Sequence, residues 1–183
     1  MKKVLIIVGT PTKDDYSDQL AKQFAKGAEE AGNSAEIVYV CDLHLESCKG
    51  CWGYRNCWET GFCFQQDDAN KIHFKMMEAD VICFSTIVYY YYNVTGLLQD
   101  FMGRMEILSN LLKNKDFYYI VTGLDYNRVH LEFAIELMKG FGDVIHPIRR
   151  CGYIYAGESM HKNDAEDTPD GRKAYEMGKN VCN

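Results

Sequence analysis

The stretch "KKVLIIVGTPTKDDYSDQLAKQFAKGAEEAG", residues 2–32, sets a short apolar, β-branched run against an amphipathic one. The basic start and apolar run of residues 2–9 invite a comparison with a secretion signal. The run is too short for that and passes straight into a polar loop, so it reads as a buried first strand. In residues 17–32, Leu20, Phe24 and Ala28 fall on one helical face and Gly32 closes the helix. A strand followed by a helix is the unit from which the rest of the chain can be read.

That unit recurs. "AEIVYV" (35–40) predicts a strand, and after a cysteine-rich stretch residues 67–79 predict a helix. "DVICFST" (80–86) precedes a helix over 95–112, "DFYYIVTG" (116–123) a helix over 128–141, and "DVIHPIRRCGYIY" (143–155) a terminal helix over 170–181. Strands apolar on both faces, alternating with amphipathic helices, call for a parallel sheet covered on both sides. Five such units predict an α/β three-layer sandwich of the flavodoxin-like kind, with strand order 2-1-3-4-5 rather than the six-strand dinucleotide arrangement. At 183 residues the chain is expected to form one domain, 1–183, carrying a Cys- and aromatic-rich loop at 44–66.

Composition narrows the partners. The net charge is −6 and no Lys/Arg run occurs, which argues against nucleic acid and anionic membranes, since both are bound mainly by neutralising phosphates. No segment approaches the roughly 18 apolar residues of a membrane span. A cytoplasmic protein with small-molecule partners is expected. There clustered cysteines are normally reduced, which favours metal or redox roles over disulfides.

In an open parallel sheet, ligands bind beyond the carboxyl ends of the strands. The loops to inspect are therefore "GTPTKDDYSDQL" (9–20), "STIVYYYYNVTG" (85–96) and "TGLDYN" (122–127). The first offers hydroxyls on Thr10, Thr12 and Ser17 at a helix start, where backbone amides can surround a phosphate; the same residues also serve as ordinary helix caps. It matches neither the GxGxxG nor the Walker pattern, which weakens NAD-binding Rossmann and NTPase readings. The tyrosine run at 89–92 suits a flat heteroaromatic ligand, and equally suits a strand continuing outward or a subunit contact.

In these loops the chain resembles the flavodoxin-like NAD(P)H-dependent FMN reductases and their iron-sulfur flavoprotein relatives. "GTPTKDDYSDQL" is similar to their phosphate loop, "CKGC...CWETGFCFQQDD" to their cysteine segment, and "NVTGLLQDFMGR" to their following helix, together spanning residues 4 to about 104. The resemblance implies an FMN phosphate on Thr10, Thr12 and Ser17. It places the ring against Ile87, Val88, Tyr89, Tyr90 and Tyr91 with Asn93 beside it, and Thr122, Gly123 and Asp125 at the other edge. It also implies hydride transfer from NADH or NADPH through FMN to a small acceptor that is quinone-like, nitro-aromatic or a free flavin, carried out by a homodimer. FMN supplies the redox chemistry, so no catalytic side chain is assigned. The alternatives are an iron-sulfur flavoprotein, or a flavin electron carrier or redox sensor without a substrate of its own.

The chain departs from the pattern at several places. Thr12 stands for the usual Arg and Tyr16 for Asn, a Pro is missing near Ile87 and Val88, and Gln99 and Gly103 replace Lys and Asp around Arg104. Asp14 and Asp15 lie in the phosphate loop itself. A carboxylate about 6 Å from one phosphate charge costs about 3 kcal/mol at an effective dielectric near 20, more than the roughly 0.3–1 kcal/mol a helix dipole returns. The expectation is that they point away, capping the helix or facing solvent with Lys13 nearby. Asp67 and Asp68 are expected to cap the next helix.

Cys48, Cys51, Cys57 and Cys63 are spaced C-x2-C-x5-C-x5-C, with only one short hook, unlike a structural zinc site. Two readings stay open. The four could ligate a [4Fe-4S] cluster. The expected reading has no metal: the thiols pack as small hydrophobes among Trp52, Tyr54, Trp58, Phe62 and Phe64, in a loop lying over the flavin edge or against another subunit. Cys41, Cys83, Cys151 and Cys182 read as core or terminal thiols, and the five histidines as structural or solvent-facing.

Overall fold

The computed structural model describes residues 1–51, 57–90, 93–124, 128–144, 148–157 and 164–181. In chain order the elements are β1 (Lys3–Val8), α1 (Tyr16–Glu30), β2 (Ser34–Tyr39), α2 (Cys57–Thr60), α3 (Ala69–Glu78), β3 (Val81–Tyr89), β4 (Asn93–Val94), α4 (Gly96–Gly103), β5 (Lys115–Thr122), α5 (Arg128–Val144), β6 (Ile148–Ala156) and α6 (Pro169–Lys179). Short 3-10 turns occupy Val40–Asp42 and Met105–Asn110.

The sheet runs β2-β1-β3-β5-β6, parallel throughout, which is the expected order once the two-residue β4 is set aside. β4 pairs antiparallel with the end of β3, Val88 opposite Val94 and Tyr89 opposite Asn93, so the tyrosine run begins inside a tight hairpin. Two other boundaries differ from the sequence reading. The helix expected over 95–112 stops at Gly103 and tightens to a 3-10 turn, and Asp143 and Val144 end α5 rather than opening β6.

Each central strand is buried on both faces, and alternate residues enter opposite cores, as a period of two requires. Leu5, Ile7, Ile82, Phe84, Phe117 and Tyr119 pack under α3, α4 and α5. Val4, Ile6, Val8, Cys83, Tyr118 and Ile120 pack under α1 and α6. Burial of each large aliphatic contributes about 1.5–3 kcal/mol, so the two faces together hold the sheet between its helices.

On the second face α1 and α6 touch backbone to backbone. A Cβ on Gly27 would lie 2.1 Å from the Tyr175 carbonyl oxygen, and one on Gly178 1.9 Å from that of Phe24. Gly27→Ala is therefore expected to destabilise the fold by about 3 kcal/mol, because the helices must separate. An unchanged urea midpoint would contradict this packing.

Candidate functional site

The carboxyl ends of β1, β3 and β5 lie side by side, and a polar network fastens them. Gly9 N–H donates to Ser85 O at 2.8 Å, the Ser85 hydroxyl to Ser17 O at 2.8 Å, and the Ser17 and Thr122 hydroxyls share a hydrogen bond of 2.6 Å. Thr95 caps α4 by accepting from Leu98 N–H at 3.1 Å, and its hydroxyl donates to the Gly9 carbonyl. Gly9 is required at this point, since a Cβ there would sit 2.7 Å from that of Leu98. Thr95, in the "NVTG" motif, thus locks the first loop to α4, a role that sequence reasoning did not assign.

Next to this network the β3 end is open. Ile87 and Val88 are half-buried, Asn93 is exposed, and Tyr89 and Tyr90 are 44% and 89% exposed. Tyr90 has φ +48°, a left-handed conformation that costs a bulky residue on the order of 1–3 kcal/mol and has no packing to compensate it. Strain of this kind concentrates at ligand-holding positions. Across from it Ile87 pairs with Thr122, and a Cβ on Gly123 would lie 3.8 Å from the Val88 Cβ. The structure therefore brings Ile87, Val88, Tyr89, Tyr90, Asn93, Thr122 and Gly123 to one edge. Tyr91 and Asp125, assigned to the same edge, lie outside the described residues.

The phosphate loop is arranged differently from expectation. Thr10, fully buried, donates its hydroxyl to the Thr12 carbonyl at 2.9 Å; Thr12 is exposed; Ser17 is fully buried against Thr122. Asp14 has φ +63°, faces solvent and pairs with Lys22, not with Lys13, which is held by Asp42 at 2.6 Å. Asp15 caps α1, accepting Asp18 N–H at 2.9 Å. Burial raises the Asp15 carboxyl above its ordinary range, against the opposing hydrogen bond from the Asp18 amide. Tyr16 reaches the opposite way, its hydroxyl 2.8 Å from that of Thr168 before α6. Asp14 turns outward and Asp15 caps the helix, both as expected; the cap occupies the Asp18 amide rather than leaving every donor open.

The cysteine segment is anchored from below by Arg104, whose side chain is 1% exposed. Its guanidinium donates twice to Asp67, at 2.5 and 3.0 Å, and once each to the Glu46 carbonyl at 2.6 Å and Cys63 Sγ at 3.2 Å. Asp67 also accepts from Ala69 N–H, while Asp68 accepts from His44 N–H and makes no cap bond to α3, so only one of the two expected caps forms and its main partner is Arg104. Asn70 holds Cys63 by two hydrogen bonds to its backbone, at 2.9 and 2.7 Å. Cys48 is exposed, Cys51 and Cys57 are half-buried and Cys63 is buried. Burial raises the Cys57 thiol, and the neighbouring Cys51, Cys63 and Cys48 add to it. Among the described residues no three His, Cys, Asp or Glu side chains converge as a metal group. Trp52 and Tyr54 lie outside the described residues, as does Cys182, whereas Cys151 is exposed on β6 rather than in the core.

The sheet order defines a flavodoxin-like α/β protein with exposed aromatic side chains at the end of β3. Residues 2–136 match the family of NADPH-dependent FMN reductases. An iron-sulfur flavoprotein of Archaeoglobus fulgidus is 35% identical over 123 residues, 66% of this chain and 58% of that protein. The chain thus spans little more than half the length of that relative. Among solved structures, an NAD(P)H:quinone oxidoreductase from Methanothermobacter marburgensis superposes with a TM-score of 0.77 at 13% identity, covering 98% of this chain and 96% of that one. An FMN-dependent NADH-azoreductase from Bacillus anthracis, in complex with FMN, superposes with a TM-score of 0.67 at 15% identity and complete coverage of both chains. The chain belongs to the NADPH-dependent FMN reductase family.

Tested against the residues present, a flavin fits this edge at its ring end. Ile87 and Val88 lie beside Thr122 and Gly123, and the exposed Tyr89 and Tyr90 follow them at the end of β3. The phosphate end carries a carboxylate, Asp15, among the donors a phosphate would use.

Proposed function

We propose that this chain takes hydride from NADH or NADPH at a bound flavin and passes the reducing equivalents to a small acceptor that is quinone-like, nitro-aromatic or a free flavin. The observation that carries the reading is the strand-end edge itself: an exposed aromatic turn at Tyr89–Tyr90, with positive φ at Tyr90, following Ile87 and Val88, which lie beside Thr122 and Gly123, next to a network of buried hydroxyls. FMN, when bound, supplies the two-electron chemistry. The protein's part is to hold the ring. Ile87, Val88, Tyr89, Tyr90 and Tyr91 pack its face, Asn93 and the backbone at Thr122, Gly123 and Asp125 meet its edge, and Thr10, Thr12 and Ser17 shape the far end. The likeness to a quinone oxidoreductase and an azoreductase supports an acceptor of this size.

In this reading the chain is one domain that works in the cytoplasm as a homodimer. No helix among the described residues is long and apolar enough to cross a membrane. Val129, Phe133 and Leu137 repeat every four residues along α5 and are 52%, 52% and 38% exposed, a stripe that suits a second copy. Anaerobic NADPH should bleach the two visible flavin bands, and a quinone should restore them. Reduction only by a ferredoxin-like protein would instead make the chain an electron carrier.

A second reading adds a [4Fe-4S] cluster on Cys48, Cys51, Cys57 and Cys63. It is favoured by the likeness to the Archaeoglobus iron-sulfur flavoprotein and by the neighbouring Cys51, Cys63 and Cys48, which raise the Cys57 thiol. Iron and acid-labile sulfide analysis of anaerobically purified protein decides it: about four of each per chain supports the cluster, none removes it.

A further inference from the structure

The donors at the start of α1 are already engaged by an anion that belongs to the chain. Asp15 accepts from the Asp18 amide at 2.9 Å and lies within reach of the Ser17 amide and the Thr10 hydroxyl. Beneath it the fully buried Asp18 accepts from Asp14 N–H at 2.7 Å and from the Tyr39 hydroxyl at 3.0 Å. Asp170 approaches from the α6 side, 3.5 Å from the Tyr16 hydroxyl, and Asp42 from the turn after β2. The cations in this corner are committed: Lys22 bridges Asp14 and Asp18, and Lys13 pairs with Asp42 and lies 4.6 Å from the Tyr39 ring centre. Among the described residues, four carboxylates (Asp14, Asp15, Asp18 and Asp42) thus face two lysines. A phosphate dianion added here meets net negative charge and finds the Asp18 amide taken by Asp15. A primary alcohol meets neither obstacle, because it donates a hydrogen bond to the Asp15 carboxylate.

We propose that Asp15 is a specificity-determining residue that stands in for the cofactor's phosphate, so that the site takes the uncharged flavin, riboflavin, at least as readily as FMN. This rests on the reading that a flavin ring lies against residues 87–90. The ring and the ribityl chain are common to both ligands, so Asp15 acts on their ratio and not on ring binding. FMN binding requires Asp15 to swing off the helix start or to stay at repulsive distance, whereas riboflavin leaves the cap in place.

The test is fluorescence titration of the purified chain with riboflavin and with FMN near pH 8, where carboxylate and phosphate are both ionised, compared with Asp15→Ser and Asp15→Asn. Both substitutions keep a good helix cap. Their melting temperatures, set beside that of the unaltered chain, show that the fold is kept. Expected are a dissociation constant for riboflavin equal to or below that for FMN in the unaltered chain, and FMN binding tightened by at least about tenfold in both variants, with riboflavin changed by less than about threefold. A preference for FMN of more than about tenfold in the unaltered chain, or a ratio that neither variant moves, would overturn the proposal while leaving the flavin site standing. Failure of every protein to bind either flavin removes the site, and this inference with it.

Discussion

Arg104→Met is expected to lower the unfolding free energy by about 3–5 kcal/mol, because it leaves a buried carboxylate without its counter-charge. Asp67 has a side-chain exposure of only 3%, and Arg104 also satisfies the Glu46 carbonyl and Cys63 Sγ. Burial alone would raise the Asp67 carboxyl; the Arg104 guanidinium and the Glu46 and Ala69 amides overcome it and hold the group below its ordinary value. The stability it contributes is accordingly present above the unfolded pKa of about 3.8 and is lost as pH falls through the lower folded value. Urea unfolding of Arg104→Met, Asp67→Leu and the double variant separates the terms. The double variant should recover part of the single loss, since two apolar side chains leave no orphaned charge. A loss below about 1 kcal/mol in Arg104→Met would mean that the clamp contributes no more than an exposed pair.

The second large effect is a pH dependence set by His73. This side chain on α3 is 2% exposed, and its ring nitrogens lack hydrogen bonds of good geometry. Burial, with the Arg104 charge second, pushes its pKa down from 6.5 to about 4. The neutral ring is the folded form, so its contribution is fully present above the unfolded pKa and is lost as pH falls from about 6.5 to about 4, some 3 kcal/mol in all. Stability curves of the unaltered chain and His73→Leu should run parallel above pH 7 and diverge below 6.5, the unaltered chain falling more steeply. Parallel curves throughout would show that His73 takes up its proton as readily in the fold as in the unfolded chain.

These two groups mark where the sequence was legible and where it was not. The sheet order followed from β-branched runs alternating with amphipathic ones, because a doubly buried strand and a one-sided helix leave different periods in the chain. The side-by-side strand-end loops followed as well, since they inherit their position from the sheet. What could not be read were interactions closed by folding. Arg104 and Asp67 are 37 residues apart, and only the path of the cysteine segment brings them together. Asp67 read as a helix cap because capping is the local option for an acid at a helix start, and a buried cation outbid it. The hairpin at Tyr89–Asn93 escaped notice because β4 is only two residues long and its pairing is set by β3. Asp15 was recognised as a difficulty, but its orientation depends on the φ of Asp14, which turns the loop so that Asp14 leaves and Asp15 enters the helix start.

The chemical account depends on a flavin lying across the ends of β1, β3 and β5. Amide hydrogen exchange of the purified chain, with and without saturating riboflavin, reads that location directly. The account predicts slowed exchange in residues 10–17, 87–94 and 122–124, with α6 and β2 unchanged. Protection confined to the cysteine segment, or none at all with ligand present, would contradict it.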